Sequence, residues 1–266
     1  MYISHKTNAP VVFDNLHNEC KNDNDYSLDY ILKEVNKTWK VEDGIMKVHY
    51  SRQDPNRKIG SHCYTLEVDP FLDYLYTAKN FDMDIMLEIK DKDFAAIKGN
   101  NILRELNNTI TLEDKKKELE RYDLYILQKD EHYFKNAEKI LTDESIINFY
   151  KFIDGLKDQD NQYINSALTK GFTYIEDKLN NREINLFYKY KNAHEFEKAK
   201  QYLYKLTTKY DFQTLMKNYF FIHNKKFSNS KNLRLTILLV ISEIYFYFLI
   251  FSIKLCKIFI FETLQL

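Results

Sequence analysis

The sequence predicts an α/β segment in the first hundred residues, an all-α segment after it, and a hydrophobic helix near the end. Three observations support this prediction. Short apolar runs recur at a nearly constant spacing, with centres near residues 12, 48 and 87. Residues 101–230 instead show apolar positions at helical intervals. The 266 residues include five Gly and three Pro, far below average usage, which argues against a turn-rich all-β fold.

Composition and charge exclude several functional classes. The chain has 39 Lys and Arg against 39 Asp and Glu, so bulk charge encodes neither a polyanion-binding coat nor an acidic tail. Hydrophobic residues make up 44% of the chain, which is enough for a core and argues against disorder. Cys20, Cys63 and Cys256 lie far apart, so neither a disulfide framework nor a thiolate zinc site is predicted. The N-terminus lacks a secretory signal, and the expected location is the cytoplasm.

Strands and helices alternate in the first hundred residues. Residues 26–39 and 69–80 place apolar side chains at helical intervals, with Ser27 and Asp69 as predicted caps. A strand, a helix and a strand that repeat every ~35 to 40 residues form βα units, which build a parallel sheet. The predicted strands are PVVFD (10–14), MKVHY (46–50) and DIMLEI (84–89).

Side chains of the types that bind metals occur where these strands end. Asp14 closes the first strand, and His17 follows three residues later. His49 and Glu88 lie near the ends of the second and third strands, and His62 lies in the loop after the second. In α/β sheets and barrels, the loops at the carboxyl ends of strands converge over one face. We therefore expect a metal site there, and Asp, Glu and His donors favour Mn²⁺, Fe²⁺ or Zn²⁺.

Each of these residues also has a structural interpretation. Asp14 is of the type that forms turns or caps, and His49 fits a hydrogen-bonded interior histidine. His62 fits an ordinary loop residue. Glu88 interrupts an apolar run, where an ionised carboxylate needs a cation. Candidate cations for an ion pair are Lys90 and Lys92.

Four segments occur in a fixed order along this part of the chain: VVFDNLHNEC (11–20), KVHYSRQ (47–53), GSHC (60–63) and MLEIKDKD (86–93). In order and spacing they resemble the UV damage endonuclease family. The resemblance implies a metal-dependent TIM-barrel nuclease, usually described with manganese, that nicks DNA on the 5′ side of UV photoproducts. It also implies damaged double-stranded DNA as the partner, a site of two or three divalent ions, and no nucleotide cofactor.

The resemblance further implies roles for individual residues. Lys47 matches a lysine that the family uses in carboxylated form near the metals, and Lys47 and Glu88 are the implied catalytic residues. Lys90 and Lys92 are implied to meet phosphate. The positions of the family's metal ligands are held by Asp14, His17, His49, His62 and Glu88.

The resemblance also predicts that the barrel is incomplete. A (β/α)₈ barrel takes about 250 residues and eight strands, whereas three strands are predicted here. By the resemblance, residue 1 falls in the helix before the sixth strand. The expected fold is therefore a TIM-barrel remnant, the C-terminal part of a nuclease whose earlier strands, with their His and Glu ligands, are missing. We expect this chain to be inactive, or nearly so, when alone.

Residues 101–230 predict a helical bundle. This part resembles the helical extension of the clostridial-type members of the same family. Its tyrosines fit core positions, although tyrosines beside lysines also fit stacking on single-stranded nucleic acid. The helical stretches are 112–141, 145–156, 161–179 and 194–209. In the first of these stretches the helical pattern repeats after Asp130.

The end of the chain has a different character. After the basic run from Asn224 to Arg234, the stretch from Leu235 to Ile253 carries one charge, that of Glu243. Such a length can span ~30 Å of hydrocarbon, and the preceding cations favour a cytoplasmic N-terminal flank. Two interpretations stay open: a membrane helix, or the product of a shifted reading frame in AT-rich DNA. The predicted domains are 1–100, 101–230 and 231–266.

Two other functions compete with the nuclease. One is a membrane-tethered helical interaction protein, in which the first hundred residues are scaffold. The other is a different metal-dependent barrel, such as a sugar isomerase or an abasic-site endonuclease, because these share carboxylates and imidazoles at strand ends. The four quoted segments favour the nuclease over such a barrel.

Overall fold

The computed structural model describes residues 1–21, 26–156 and 163–222, and the backbone of residues 258–259. These residues fall in two compact units. The first extends from Met1 to Leu106 and includes the backbone of 258–259, and the second begins at Asn107.

Helices separate the strands of the first unit, as the sequence predicts, although two helices rather than one lie between the first and second strands. A single 3₁₀ turn, Val41–Asp43, precedes the second strand. In chain order the elements are α1 (Tyr2–Thr7), β1 (Phe13–Asp14), α2 (Asn15–Lys21), α3 (Leu28–Asn36), β2 (Met46–Tyr50), α4 (Val68–Ala78), β3 (Met83–Leu87), α5 (Asp93–Leu106) and β4 (Ile258–Phe259).

All neighbouring strands pair in parallel, in the order β1-β2-β3-β4. This confirms the predicted parallel sheet. Asp14 lies opposite His49, and His49 lies opposite Met86. The carboxyl ends of the first three strands therefore lie at the same edge. The relation of this sheet to a (β/α)₈ barrel stays a prediction.

One face of the sheet is apolar and buried. Val48 and Ile85 have no exposed surface, and Tyr50 is buried beside them. The ring of Tyr50 packs 5.1 Å from that of Phe71 and 4.8 Å from that of Tyr74, both in α4. Because successive side chains of a strand alternate between faces, the intervening residues of β2 and β3 lie on the opposite face.

The first strand is shorter than predicted, because side chains occupy its backbone groups. The N–H of Val11 donates to the Thr38 hydroxyl over 2.9 Å. The indole N–H of Trp39 donates to the carbonyl of Val11 over 2.8 Å. These two bonds satisfy Val11 without a neighbouring strand, so pairing begins at Phe13.

One of the two predicted helix caps is confirmed. Ser27 caps α3, with its hydroxyl accepting from the N–H of Tyr30. The prediction for Asp69 is wrong, because α4 begins at Val68 with Glu67 as its cap residue. Asp69 lies in the first turn, where a carboxylate still interacts favourably with the helix dipole.

A buried amide joins the end of β1 to the end of β2. The Asn15 side-chain amide donates to the carbonyl of Ser51, and its oxygen accepts from the N–H of Ser51, each over 2.8 Å. Asn15 is 6% exposed and Ser51 is 2% exposed. This reciprocal pair fixes the chain directly after Asp14 against the chain two residues after His49.

The described part of the second unit is helical throughout, as predicted. The predicted stretch 112–141 divides into two helices, because the Asp130 side chain accepts from the N–H of His132 and caps a new helix. The helices are α6 (Leu112–Lys129), α7 (Glu131–Asp143), α8 (Ile146–Gly155), α9 (Ile164–Thr173), α10 (Asn181–Asn192), α11 (Phe196–Lys209), α12 (Gln213–Met216) and α13 (Tyr219–Ile222).

Tyrosines form much of the core of this unit, which confirms their predicted core role. Tyr122 is 2% exposed, and its ring lies 4.9 Å from that of Tyr219. The buried carboxylate of Asp123 accepts from the Tyr174 hydroxyl over 2.6 Å and from the Asn218 amide over 2.7 Å. These hydrogen bonds satisfy a charge that burial would otherwise make costly.

Among the described residues, no helix combines the length and the apolar character needed to cross a bilayer. The predicted hydrophobic helix from Leu235 to Ile253 lies outside the described residues, as does the basic run before it.

We predict that Asn15→Ala lowers the free energy of unfolding by about 2 to 3 kcal/mol, because it leaves the buried N–H and carbonyl of Ser51 without partners. Urea denaturation followed by circular dichroism measures this. The matched control, Asn185→Ala, removes an exposed amide from α10 and should change stability by less than about 0.5 kcal/mol. Equal effects of the two substitutions would contradict the role of Asn15.

Candidate metal centre

The parallel register brings three strand ends together. Asp14 and His49 are opposite each other in neighbouring strands. Glu88 follows Met86 by two residues and therefore lies on the same face, next to His49. The N–H of Glu88 donates to the carbonyl of Tyr50 over 2.9 Å, which continues the β2–β3 hydrogen bonding beyond the end of β3.

Two carboxylates and one imidazole converge at this edge. His49 Nδ1 lies 2.9 Å from Glu88 Oε1 and 3.7 Å from Asp14 Oδ2. One potential ligand atom from each of the three residues lies within 4.8 Å of the others. The three side chains are between 19% and 27% exposed, so the cluster is reachable from solvent while water screens it only in part.

His17 contacts this cluster through Asp14. Its Nδ1 lies 2.7 Å from Asp14 Oδ2, and its backbone N–H donates to Asp14 Oδ1 over 2.9 Å. Asp14 therefore also acts in the capping role that its sequence position allows. The His17 side chain is 61% exposed, which leaves its ring accessible to a ligand.

His62 contacts the cluster through Glu88. Its Nε2 lies 3.6 Å from Glu88 Oε2, and its ring centroid lies 6.2 Å from that of His17. Its Nδ1 is buried and has no hydrogen-bond partner among the described residues. The five predicted ligands thus lie at one edge of the sheet, with Asp14, His49 and Glu88 closest together.

Lys47 lies on the same face, two residues before His49. Its ammonium is 3.4 Å from Asp84 Oδ2 and 5.6 Å from the centre of the Trp39 ring. Its side chain is 48% exposed. Carboxylation of Lys47 stays a prediction of the family resemblance.

Lys90 does not form the ion pair with Glu88 that the sequence allows. The ammonium of Lys90 lies 3.0 Å from Asp54 Oδ2. The partners of Glu88 are instead the imidazoles of His49 and His62.

The imidazole of His49 is the positive charge between the two carboxylates when no metal is bound. The neighbouring carboxylates of Asp14 and Glu88 raise the pKa of His49 from 6.5 to about 9, although burial opposes this. Burial raises the pKa of Asp14, but the nearby imidazole of His49 and the hydrogen bonds from His17 outweigh it and hold that pKa below its ordinary value. The hydrogen bond from His49 also lowers the pKa of Glu88, against the effect of burial.

This donor set fits a divalent cation. Both carboxylates are ionised at neutral pH, and imidazole nitrogens complete a mixed oxygen and nitrogen set that suits Mn²⁺, Fe²⁺ or Zn²⁺. A cation there would replace the proton of His49 as the counter-charge, because a ligating histidine must be neutral.

Comparisons with known proteins agree with the quoted segments. The family model described as UV-endonuclease UvdE matches residues 1–122. A UV DNA damage endonuclease of Clostridium perfringens (strain 13 / Type A) is 45% identical over 213 residues, which are 79% of this chain and 51% of that protein. The chain belongs to the UV damage endonuclease family. It spans about half the length of the Clostridium relative.

Two further members of the family match shorter parts of the chain. A protein of Acanthamoeba polyphaga mimivirus, provisionally named a UV-damage endonuclease, is 28% identical over 99 residues, which are 36% of this chain and 29% of that protein. The crystal structure of SacUVDE is 39% identical, and the match covers 40% of this chain and 35% of that chain with a TM-score of 0.36.

Sequence reasoning missed the residues that hold these side chains in place. Asn15 joins the ends of two strands, and the side chains of Gln53 and Asp54 brace the loop that carries His62. Asn15 stands inside the quoted VVFDNLHNEC segment, so a polar residue directly after a predicted strand was the available signal.

We predict that the metal-free protein loses stability as pH rises from 6.5 to 9. Folding raises the pKa of His49, so its contribution is complete below pH 6.5 and disappears as pH rises through about 9. In the presence of EDTA, the free energy of unfolding should fall by about 2 kcal/mol over this range.

The control for this titration is a second histidine. His49→Gln should flatten the pH dependence, whereas His5→Gln, at an exposed position in α1, should leave it intact. A flat profile for the unsubstituted protein would contradict the assigned ionisation of His49.

Proposed function

We propose that this chain is part of a metal-dependent UV DNA damage endonuclease that cleaves a phosphodiester 5′ to UV photoproducts. The observation that carries the proposal is the convergence of Asp14, His49 and Glu88 within 4.8 Å at one edge of a parallel sheet, in a chain that belongs to this family. The proposed substrate is damaged double-stranded DNA, and the proposed metal is Mn²⁺.

Asp14, His49 and Glu88 would hold the metal, with His17 and His62 as further ligands. A bound divalent ion supplies a more acidic bound water and stabilises charge on the attacking and leaving oxygens of the phosphodiester. His17 orients Asp14 through two contacts. Glu88, between two imidazoles, is kept ionised by the hydrogen bond from His49.

Proton release from His49 is the step that prepares the site. Its Nδ1 lies 2.9 Å from Glu88 Oε1 and 3.7 Å from Asp14 Oδ2, and a proton held there would have to leave before the nitrogen could act as a ligand. We therefore expect metal affinity to increase with pH across the neutral range.

Lys47 is the proposed second catalytic residue. It lies on the same sheet face as His49 with an accessible ammonium, and the carboxylate of Asp84 holds the side chain toward this face. Either as a cation beside phosphate or in carboxylated form beside the metals, it would act on the same edge of the sheet. Lys90, fixed by Asp54, is the proposed phosphate contact on the third strand.

We further propose that the chain alone cleaves slowly or not at all. The described strands bring site residues from three strand ends, whereas a (β/α)₈ barrel collects them from eight. The lower ligand number would weaken metal binding and leave fewer groups to hold the phosphodiester in line for attack.

Manganese binding tests the site directly. Titration with Mn²⁺, followed by electron paramagnetic resonance, should show saturable binding that Glu88→Gln weakens at least tenfold, because one charged ligand is lost. Glu42→Gln makes the same charge change at an exposed position and should leave the affinity unchanged. Equal affinities for the three proteins would contradict the proposed ligands.

Nicking of supercoiled plasmid, UV-irradiated or not, tests the activity. We expect weak nicking that requires irradiation and Mn²⁺ and that Glu88→Gln abolishes. Nicking that persists in Glu88→Gln would contradict the proposed site, and rapid lesion-specific nicking would contradict the proposal that the chain alone is nearly inactive.

A further inference from the structure

A hairpin-like loop, residues 51–63, rises from the end of β2 and carries His62 toward the cluster. Its two arms pair in antiparallel fashion. The N–H of Asp54 donates to the carbonyl of Ser61, and the N–H of Cys63 donates to the carbonyl of Arg52, each over 2.7 Å. The tip, residues 55–60 with sequence PNRKIG, extends beyond these paired arms.

The side-chain amide of Gln53 holds the tip from within. It donates to the carbonyl of Asp54 over 2.7 Å and to that of Lys58 over 3.0 Å. Its oxygen accepts from the N–H of Gly60 over 2.8 Å. Gly60 has a φ of 81°, a value that favours glycine at the point where the tip turns back.

The carboxylate of Asp54 braces the same tip from outside. It accepts from the N–H of Asn56 over 3.0 Å and from the ammonium of Lys90 over 3.0 Å. The guanidinium of Arg57 lies 3.5 Å away. Because Lys90 follows the metal-binding strand end at Glu88, this ion pair ties the tip to the candidate metal centre.

This braced tip presents an apolar side chain to water. Ile59 is 80% exposed, and it stands directly after Arg57 and Lys58. A single exposed apolar residue needs no explanation by itself. Ile59 stands three residues before His62, a proposed metal ligand, and therefore lies within roughly 10 Å of it. The tip thus combines two cations, which suit phosphates, with an apolar side chain, which suits stacked bases.

We propose that Ile59 is an apolar wedge that enters the DNA base stack beside the lesion, while Lys58 and Arg57 hold the flanking phosphates. Proteins that kink duplexes insert such side chains between base steps. Opening a step costs least where damage has already weakened stacking, so the wedge would favour damaged over intact duplex. The inference rests on the proposed function, because it assumes that DNA lies at this edge of the sheet.

The test uses the full chain and a duplex that contains one thymine dimer, with 2-aminopurine beside it as a fluorescent reporter of unstacking. Wild-type protein should increase the fluorescence. Ile59→Ser should abolish most of this increase and weaken binding to the damaged duplex about tenfold. Its affinities for undamaged duplex and for Mn²⁺ should stay unchanged, and Ile59→Met should retain the increase, because methionine is also a suitable wedge.

Two control variants separate the wedge from general effects. Val41→Ser removes another fully exposed aliphatic side chain, 98% exposed and next to the acidic Glu42 and Asp43, and it should change nothing. Lys58→Gln should weaken binding to damaged and undamaged duplex alike and reduce the salt dependence by about one phosphate contact.

These outcomes separate the wedge proposal from the endonuclease proposal. A wild-type fluorescence increase that Ile59→Ser retains, or that Val41→Ser also abolishes, would overturn the wedge and leave the endonuclease proposal intact. A wild-type protein that binds damaged duplex no better than undamaged duplex would overturn the wedge. If that protein also shows no saturable Mn²⁺ binding that Glu88→Gln weakens, the proposed function fails with it.

Discussion

The parallel pairing of three short strands is the constraint on which the candidate site depends. Asp14, His49 and Glu88 are separated by 35 and 39 positions in sequence, and only the register between strands brings them together. The opposite, apolar face determines that register, because a slip of one residue would expose Val48 and Ile85 and would turn His49 toward the helices. Burial of hydrophobic side chains on one face therefore positions charged side chains on the other.

The candidate site places two carboxylates close together, and imidazoles beside them offset the repulsion between the two negative charges. Two carboxylates at a partly buried edge would repel and lose hydration. Imidazoles beside each of them keep both ionised. Under the proposed function, a divalent cation would take the place of a proton on His49 as the counter-charge of the two carboxylates. The cost is a cluster whose stability depends on pH and metal.

The sequence predicted strands and helices where apolar periodicity gave a signal, and the side chains singled out at strand ends lie near one another in the structure. The three strands and their parallel pairing follow from apolar spacing, as do helices within 112–141, 145–156, 161–179 and 194–209. The division of the first stretch at Asp130 and the helix α10 were not predicted. The missed features depend on contacts between distant residues. Val11 leaves the predicted strand because the side chains of Thr38 and Trp39 occupy its backbone groups, and no local pattern encodes that.

The brace around His62 was unpredictable for a related reason. Gln53 and Asp54 stand in an irregular stretch without periodicity, and their roles appear only when the loop folds back on itself. Asp69 shows the opposite error. A local signal suggested that Asp69 caps α4, but the cap residue is Glu67, two positions earlier. The tyrosines of the second unit were ambiguous between core and binding surface, and the burial of Tyr122 and Tyr150 decides for the core at those positions.

Anomalous X-ray scattering from crystals grown with Mn²⁺ would locate a bound ion at this edge of the sheet. We expect an anomalous peak between the carboxylates of Asp14 and Glu88, within coordination distance of both and of an imidazole nitrogen of His49. A peak elsewhere, or an edge where Glu88 turns away from His49 with no metal between them, would contradict this expectation.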